Sequence, residues 1–184
     1  MLERIEQYYD QVPRAAARIE LIGPFILFVK QGGGWPYYAR PTLGARTFAA
    51  DDVLGRLAFD APGTAIGEVG TAGLAAAQPD SVEFDRERLR RGLTVTAAAF
   101  NADGDPVASG SHQPLQGLTK IVGVGTLPAF RRRGIAAALT ALLVDDALRR
   151  VETVFLSAND AVVARVYERI GFRRLATACI AEPA

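Results

Sequence analysis

TLPAFRRRGIAAALT (residues 126–140) is the stretch from which the chain is best read. Three arginines, Arg131, Arg132 and Arg133, run straight into Gly134. Beyond it the chain turns apolar at helical spacing, with Ile135, Leu139, Leu142 and Leu143 on one face. A helix N-terminus leaves its first four N–H groups unpaired and carries about half a positive charge. Both features favour a bound phosphate. Gly134 lets backbone approach a ligand with no Cβ in the way, Ala136 and Ala137 keep the first turn slim, and Pro128 helps the preceding strand leave its sheet. The combination fits a pyrophosphate cradle made from main-chain amides. Taken alone, the arginine triplet reads better as a solvated, positively charged turn; its surroundings weaken that reading. No G-x-x-x-x-G-K-[ST] is present, and Gly123-Val124-Gly125 meets a proline at 128, so neither a P-loop nor a dinucleotide fingerprint is completed.

Outward from this turn the pattern is mixed α/β. LTVTAAAF (93–100) alternates like a strand, NADGDP is a turn with an Asp-Gly pair, and VASGSHQPL and TKIVGVGTL (119–127) are the next two strands. A helix is expected over Gly134–Arg150, a buried strand over 152–158, a helix over Ala161–Ile170 ending at Gly171, and a closing strand over 172–182. Strands 119–127 and 152–158, separated by a helix, form a parallel crossover. Upstream, residues 2–12 read as a helix ended by Pro13, Arg14–Ile22 as a second helical piece, FILFVK (25–30) and YYARPTL (37–43) as a hairpin, Ala50–Phe59 as a short helix, and Ser81–Arg91 as a helix capped by Gly92.

Composition narrows the function classes. Lys plus Arg is 21 against 20 Asp plus Glu, a net charge of +1, so a general nucleic-acid binder is not expected and any anion site is local. With one cysteine, Cys179, and one histidine, His112, no metal centre is expected. No apolar run reaches the roughly 18 residues that span a bilayer, and the acidic, amphipathic N-terminus does not read as a targeting peptide. A cytoplasmic protein without membrane partners is the expectation.

Arg131-x-x-Gly134-x-Ala136 resembles the Q/R-x-x-G-x-G/A signature of the GNAT superfamily of N-acetyltransferases. The resemblance extends on both sides: GVGTLPAFRRRG is similar to that family's fourth strand and acetyl-CoA loop, and FLSANDAVVARVYERIGFRRLA to its later strand, its following helix and its Tyr-x-x-x-Gly-Phe ending. It covers about residues 93–182. It implies a central, mostly antiparallel mixed sheet with one splayed parallel strand pair, flanked by helices. It also implies an acetyl-CoA-dependent enzyme whose amine acceptor, a small molecule or a peptide, attacks the thioester directly. Backbone of Val124, Gly125, Thr126 and Leu127 would hold the pantetheine arm, and Arg131, Arg132, Arg133, Gly134, Ile135 and Ala136 the pyrophosphate. Loss of CoA affinity exceeding loss of dephospho-CoA affinity would mark an arginine on the ribose phosphate.

Tyr167 is by the same resemblance the acid for the leaving thiolate; packing between helix and sheet is its other reading. Asn159 matches an asparagine that often contacts the cofactor, yet it stands eight residues before the tyrosine where seven is commoner, and it could instead cap the helix. No acid lies between Thr119 and Leu127, so His112 is the candidate base, with Glu83, Asp85 and water as alternatives. The resemblance fades toward the N-terminus. Residues 1–43 are expected to form an appendage and 44–184 the acetyltransferase domain. ARIELIGPF (17–25) echoes ARVYERIGF (164–172), which suggests a second, degenerate copy unless the likeness is chance. FILFV, Trp35, Tyr37 and Tyr38 could pack on the main sheet or line an acceptor groove or a homodimer interface. A catalytically reduced acyl-CoA-binding module is the competing function.

Overall fold

The computed structural model describes residues 1–30, 38–45 and 79–177. The chain divides into two compact units, one running from Glu3 to Glu87 and the other from Arg88 to Ala184. The helix expected over Ala50–Phe59 lies outside the described residues. Among the described residues no helix is long and apolar enough to cross a membrane.

In the first unit, helix α1 (Leu2–Arg14) packs through Tyr8 and Asp10, both buried. The Asp10 carboxylate accepts two hydrogen bonds from the Arg14 guanidinium one turn later, at 2.9 and 3.1 Å. A three-stranded antiparallel sheet follows in the order β1 (Ala17–Ile22), β2 (Phe25–Lys30), β3 (Tyr38–Pro41). The expected β2–β3 hairpin is present. Of the expected second helical piece, Arg14–Ile22, only Arg14 is helical, as the last residue of α1. Arg18-Ile19-Glu20-Leu21 alternates charged and apolar residues, a period of two, and Gly23, at φ +57°, turns the chain back so that Ile22 faces Phe25. The central strand β2 buries Phe25, Ile26, Leu27 and Phe28 in succession, so both its faces are covered. Arg40 of β3, itself buried, donates to the Glu6 carbonyl and to its carboxylate, which ties β3 to α1. A guanidinium so enclosed needs that carboxylate, since a lone buried charge is strongly destabilising.

The echo between residues 17–25 and 164–172 does not survive: the first segment is a strand and turn, and the second is mostly helix. The common spacing of apolar residues serves two different periods.

Helix α2 (Pro79–Arg90) ends as expected. Gly92 takes φ +68° and its N–H reaches the Leu89 carbonyl at 3.0 Å. The second unit is a four-stranded mixed sheet, order β4 (Val95–Phe100), β5 (Pro106–Leu115), β6 (Leu118–Thr126), β7 (Thr153–Phe155). The β4–β5 connection is wider than a two-residue Asp-Gly turn. Asn101 Oδ1 accepts from the N–H groups of Asp103 (3.0 Å) and Asp105 (2.8 Å), and this side chain organises the loop. Strand β7 is three residues where seven were expected, and Phe172–Thr177, the described part of the expected last strand, forms none.

Helix α3 (Ile135–Leu148) lies against one face of this sheet. Leu139 and Leu143 join Ala108 and Ile121 in a core, flanked by Val124, Val154, Leu156 and Phe172. The approach is close: a Cβ on Gly110 would stand 3.0 Å from Leu143 Cδ1 and 3.1 Å from Val124 Cγ2. One polar column runs through this layer. His112 is fully buried, with Nδ1 3.1 Å from Thr119 Oγ1 and Nε2 3.0 Å from Asp146 Oδ2. Arg150 also donates to Asp146, at 3.1 Å. The carboxylate can accept from Nε2–H, and the Thr119 hydroxyl can either donate to Nδ1 or accept from it, so both ring nitrogens have a partner. The hydrogen bond from His112, then that from Arg150, holds the Asp146 carboxyl below its ordinary value.

Removing this column should be costly. His112→Ala is expected to destabilise by about 2–4 kcal/mol, because it leaves a cavity and two unpaired polar groups. Asp146 stabilises fully above the ordinary carboxyl value of 3.8, and its contribution fades as pH falls through the lower folded value. Urea midpoints of Asp146→Asn should therefore lie well below wild type at pH 7 and converge with it below pH 4, the range set by that carboxyl value.

Candidate functional site

Strand β6 pairs with β5 along its whole length but with β7 over only three residues: Leu118 with Thr153, Thr119 with Val154, Lys120 with Phe155. From Ile121 to Thr126 it carries no β7 partner. Among the described residues one edge of its backbone is therefore open to an added chain, and an open strand edge presents a row of N–H and C=O groups. The register with β5 slips here, since Ser109 faces Gly125 while Ser111 faces Val122. The extra residue on β6 is a bulge, and Gly123 takes φ +62° within it. A Cβ on Gly123 would meet nothing within 4 Å, so the bulge borders open space.

Val124, Gly125, Thr126 and Leu127 lie on this open stretch. Val124 packs into the core below, and Leu127 N–H is bound to the Val107 carbonyl at 2.9 Å, which fixes where the strand ends. The Thr126 hydroxyl is buried and has no hydrogen-bond partner among the described residues. A buried polar atom without a partner is uncommon and calls for one.

A short 3₁₀ turn, Pro128–Phe130, then leads into the arginines. All three are exposed, but two of the side chains turn back on the turn itself. Arg131 Nε donates to the Thr126 carbonyl at 3.1 Å. Arg133 donates to the Ala129 carbonyl at 3.0 Å and stacks 5.1 Å from the Phe130 ring. Arg132 takes φ +61°, a left-handed conformation that costs about 1 kcal/mol in a residue with a side chain. Gly134, at φ +78°, is the N-cap of α3 and brings no side chain to cap it. The first intrahelical bond is Ala138 N–H to the Gly134 carbonyl, so the N–H groups of Ile135, Ala136 and Ala137 precede it and point out of the helix end. The Ala136 carbonyl accepts from Thr140 Oγ1 at 2.8 Å.

Tyr167 stands in α4 (Ala161–Glu168). It is half-buried, with its ring edge-on to Phe172 at 6.1 Å, and Phe172 in turn packs on the core. Burial pushes its phenol above the usual tyrosine value. The helix is capped by Asp160, whose Oδ1 accepts from Val162 and Val163 N–H at 2.8 Å. Asn159 is exposed one residue earlier and is not the cap. His112, expected to reach the cleft, is instead sealed beneath α3 with both ring nitrogens engaged. Its strand position was legible. The face it occupies was not, because Ser111 and His112 alternate and only the packing of α3 shows which is covered.

The GNAT acetyltransferase family model matches residues 70–172, more than half of the chain. No curated protein matches the sequence. Among solved structures, an acetyltransferase from Trypanosoma brucei is 23% identical with a TM-score of 0.51, over 61% of this chain and 87% of that one. A glucosamine-6-phosphate N-acetyltransferase from Arabidopsis thaliana is 15% identical with a TM-score of 0.53, over 59% and 80%. A protein from Clostridium acetobutylicum, described as a predicted acetyltransferase and solved with acetyl-CoA, is 20% identical with a TM-score of 0.46, over 55% and 72%. The first two share the mixed sheet and its flanking helices. The splayed strand pair and the amide-lined turn thus sit within a matched family domain: the chain belongs to the GNAT acetyltransferase family and is an acyltransferase.

Proposed function

We propose that the chain transfers an acetyl group from acetyl-CoA to a primary amine by direct attack in a ternary complex. The observation that carries this reading is the open edge of β6 from Ile121 to Thr126, running directly into the uncapped N-terminus of α3. An extended pantetheine arm carries amides that can pair with such an edge as a further strand would. The Thr126 hydroxyl offers an unused donor and acceptor beside it. The N–H groups at Ile135, Ala136 and Ala137 suit a pyrophosphate, favoured by the helix dipole. Arg131 and Arg133 act through the backbone here, by bracing the turn that aims those amides.

The amine nitrogen attacks the thioester carbonyl carbon, the C–S bond breaks, and the thiolate takes a proton. Tyr167 is the donor. Its raised pKa keeps the phenol protonated through the neutral range, so it arrives able to give a proton. The acceptor's ammonium proton leaves to solvent, because His112 is sealed in the core. The acceptor is a small-molecule or peptide amine.

Calorimetry with acetyl-CoA tests the site, and no binding at millimolar ligand would sink the reading. Gly134→Ala should raise the dissociation constant about tenfold, because a left-handed cap costs an alanine about 1 kcal/mol and misaims the amides. Arg131→Ala should weaken CoA and dephospho-CoA by the same factor; a selective loss for CoA would mean that the side chain meets the ribose phosphate. Tyr167→Phe should lower kcat about 100-fold with KM for acetyl-CoA little changed. The wild-type rate, followed by thiol release, should hold on the alkaline side until pH passes the ordinary tyrosine value of 10.0.

A further inference from the structure

Strand β1 is the outer strand of the first unit's sheet, and no described strand pairs with its far side. Its own hairpin fixes which groups face outward. In a two-residue hairpin the closing pair exchanges both hydrogen bonds, and such pairs recur at every second residue. Here the closing pair is Ile22 with Phe25. Ile22, Glu20 and Arg18 therefore turn their backbone toward β2, while Ala17, Ile19 and Leu21 turn N–H and C=O outward. No proline interrupts this edge, whereas the opposite edge strand, β3, ends in Pro41. Ile19 and Leu21 are also exposed, Leu21 at 73%.

We propose that this edge pairs antiparallel with the same edge of a second copy of the chain, across a two-fold axis at Ile19. The side chains select both the partner and the register. With Ile19 opposite Ile19 of the partner subunit, Arg18 faces Glu20 of the partner subunit, and Glu20 faces Arg18 of the partner subunit. Ala17 likewise meets Leu21 of the partner subunit, so the most exposed apolar side chain lies against the smallest. Centring on Glu20 or on Arg18 instead sets like charges opposite each other, which is destabilising. The Ile19 register also agrees with the backbone: residues 17, 19 and 21 would form the hydrogen-bonded pairs, about six bonds in all, and the charged residues the closer non-bonded pairs. Within one chain Arg18 already pairs with Glu20; in the dimer each charge gains a second partner of opposite sign. Edge strands usually resist pairing by carrying charge. This one carries a charge pattern that is its own complement. The interface is small by the standard of stable complexes, so the dimer is concentration-dependent.

Sedimentation equilibrium of the full chain should show a monomer–dimer equilibrium. Arg18→Glu and Glu20→Arg, each alone, should weaken it about tenfold or more, because both symmetric pairs become repulsive. Mixed in equal amounts, the two variants should form a heterodimer at least as tight as wild type. The double exchange within one chain, Arg18→Glu with Glu20→Arg, should restore the homodimer. A chain that stays monomeric up to about 1 mM, a dimer indifferent to the single exchanges, single exchanges that neither variant rescues, or a stoichiometry other than two would each overturn the proposal.

Discussion

The pairing of β6 with β7 stops after three residues, and the candidate site exists because it stops. Parallel strands joined through a helix are held together by what covers them. Here α3 packs across the layer, with Leu139 and Leu143 over Ala108 and Ile121. That core holds β6 straight against β5 while its other edge goes unpaired, which an isolated strand could not sustain. The same helix delivers its uncapped end to the point where the strand finishes. One element thus supplies the support for an open edge and the amides that lie beyond it.

The second unit was largely legible in the sequence. Alternation marked β4, Gly92 marked the end of α2, and Gly134 opened α3 as its spacing suggests. Failures arose where short-range pattern competes with packing. Arg14–Ile22 reads as helical, and Ala, Arg, Glu and Leu are good helix formers; pairing of Ala17–Ile22 with the mostly apolar β2 overrides that propensity. At β7 the seven-residue segment ETVFLSA yields three paired residues, because the number of pairs is set by the neighbour strand and not by composition.

Residue roles proved harder to read than elements. The arginine triplet attracted attention as charge, yet two of its members serve as braces on backbone carbonyls. His112 attracted attention as the chain's one titratable imidazole, and it fastens a helix to a sheet. A side chain's chemistry is plain from its name, but the face on which it emerges depends on register, and register depends on contacts distant in sequence. The surroundings of Tyr167 are nearer in sequence, since the Phe172 ring it meets edge-on lies five residues further on.

The bulge at Gly123 has a consequence for how this strand can vary. Ile121, Val124 and Thr126 belong to the α3 side of the sheet although their spacing is three and then two. The extra residue thus resets the phase of the strand midway. Upstream and downstream halves obey the alternation separately, each locked to its own side chains. Excising Gly123 would make the ladder regular and leave Val124 and Thr126 on the α3 side, whereas excising a residue outside the bulge would keep the slip and turn one half of the strand over. A change of length therefore suits the core at the bulge and not in the regular halves on either side of it.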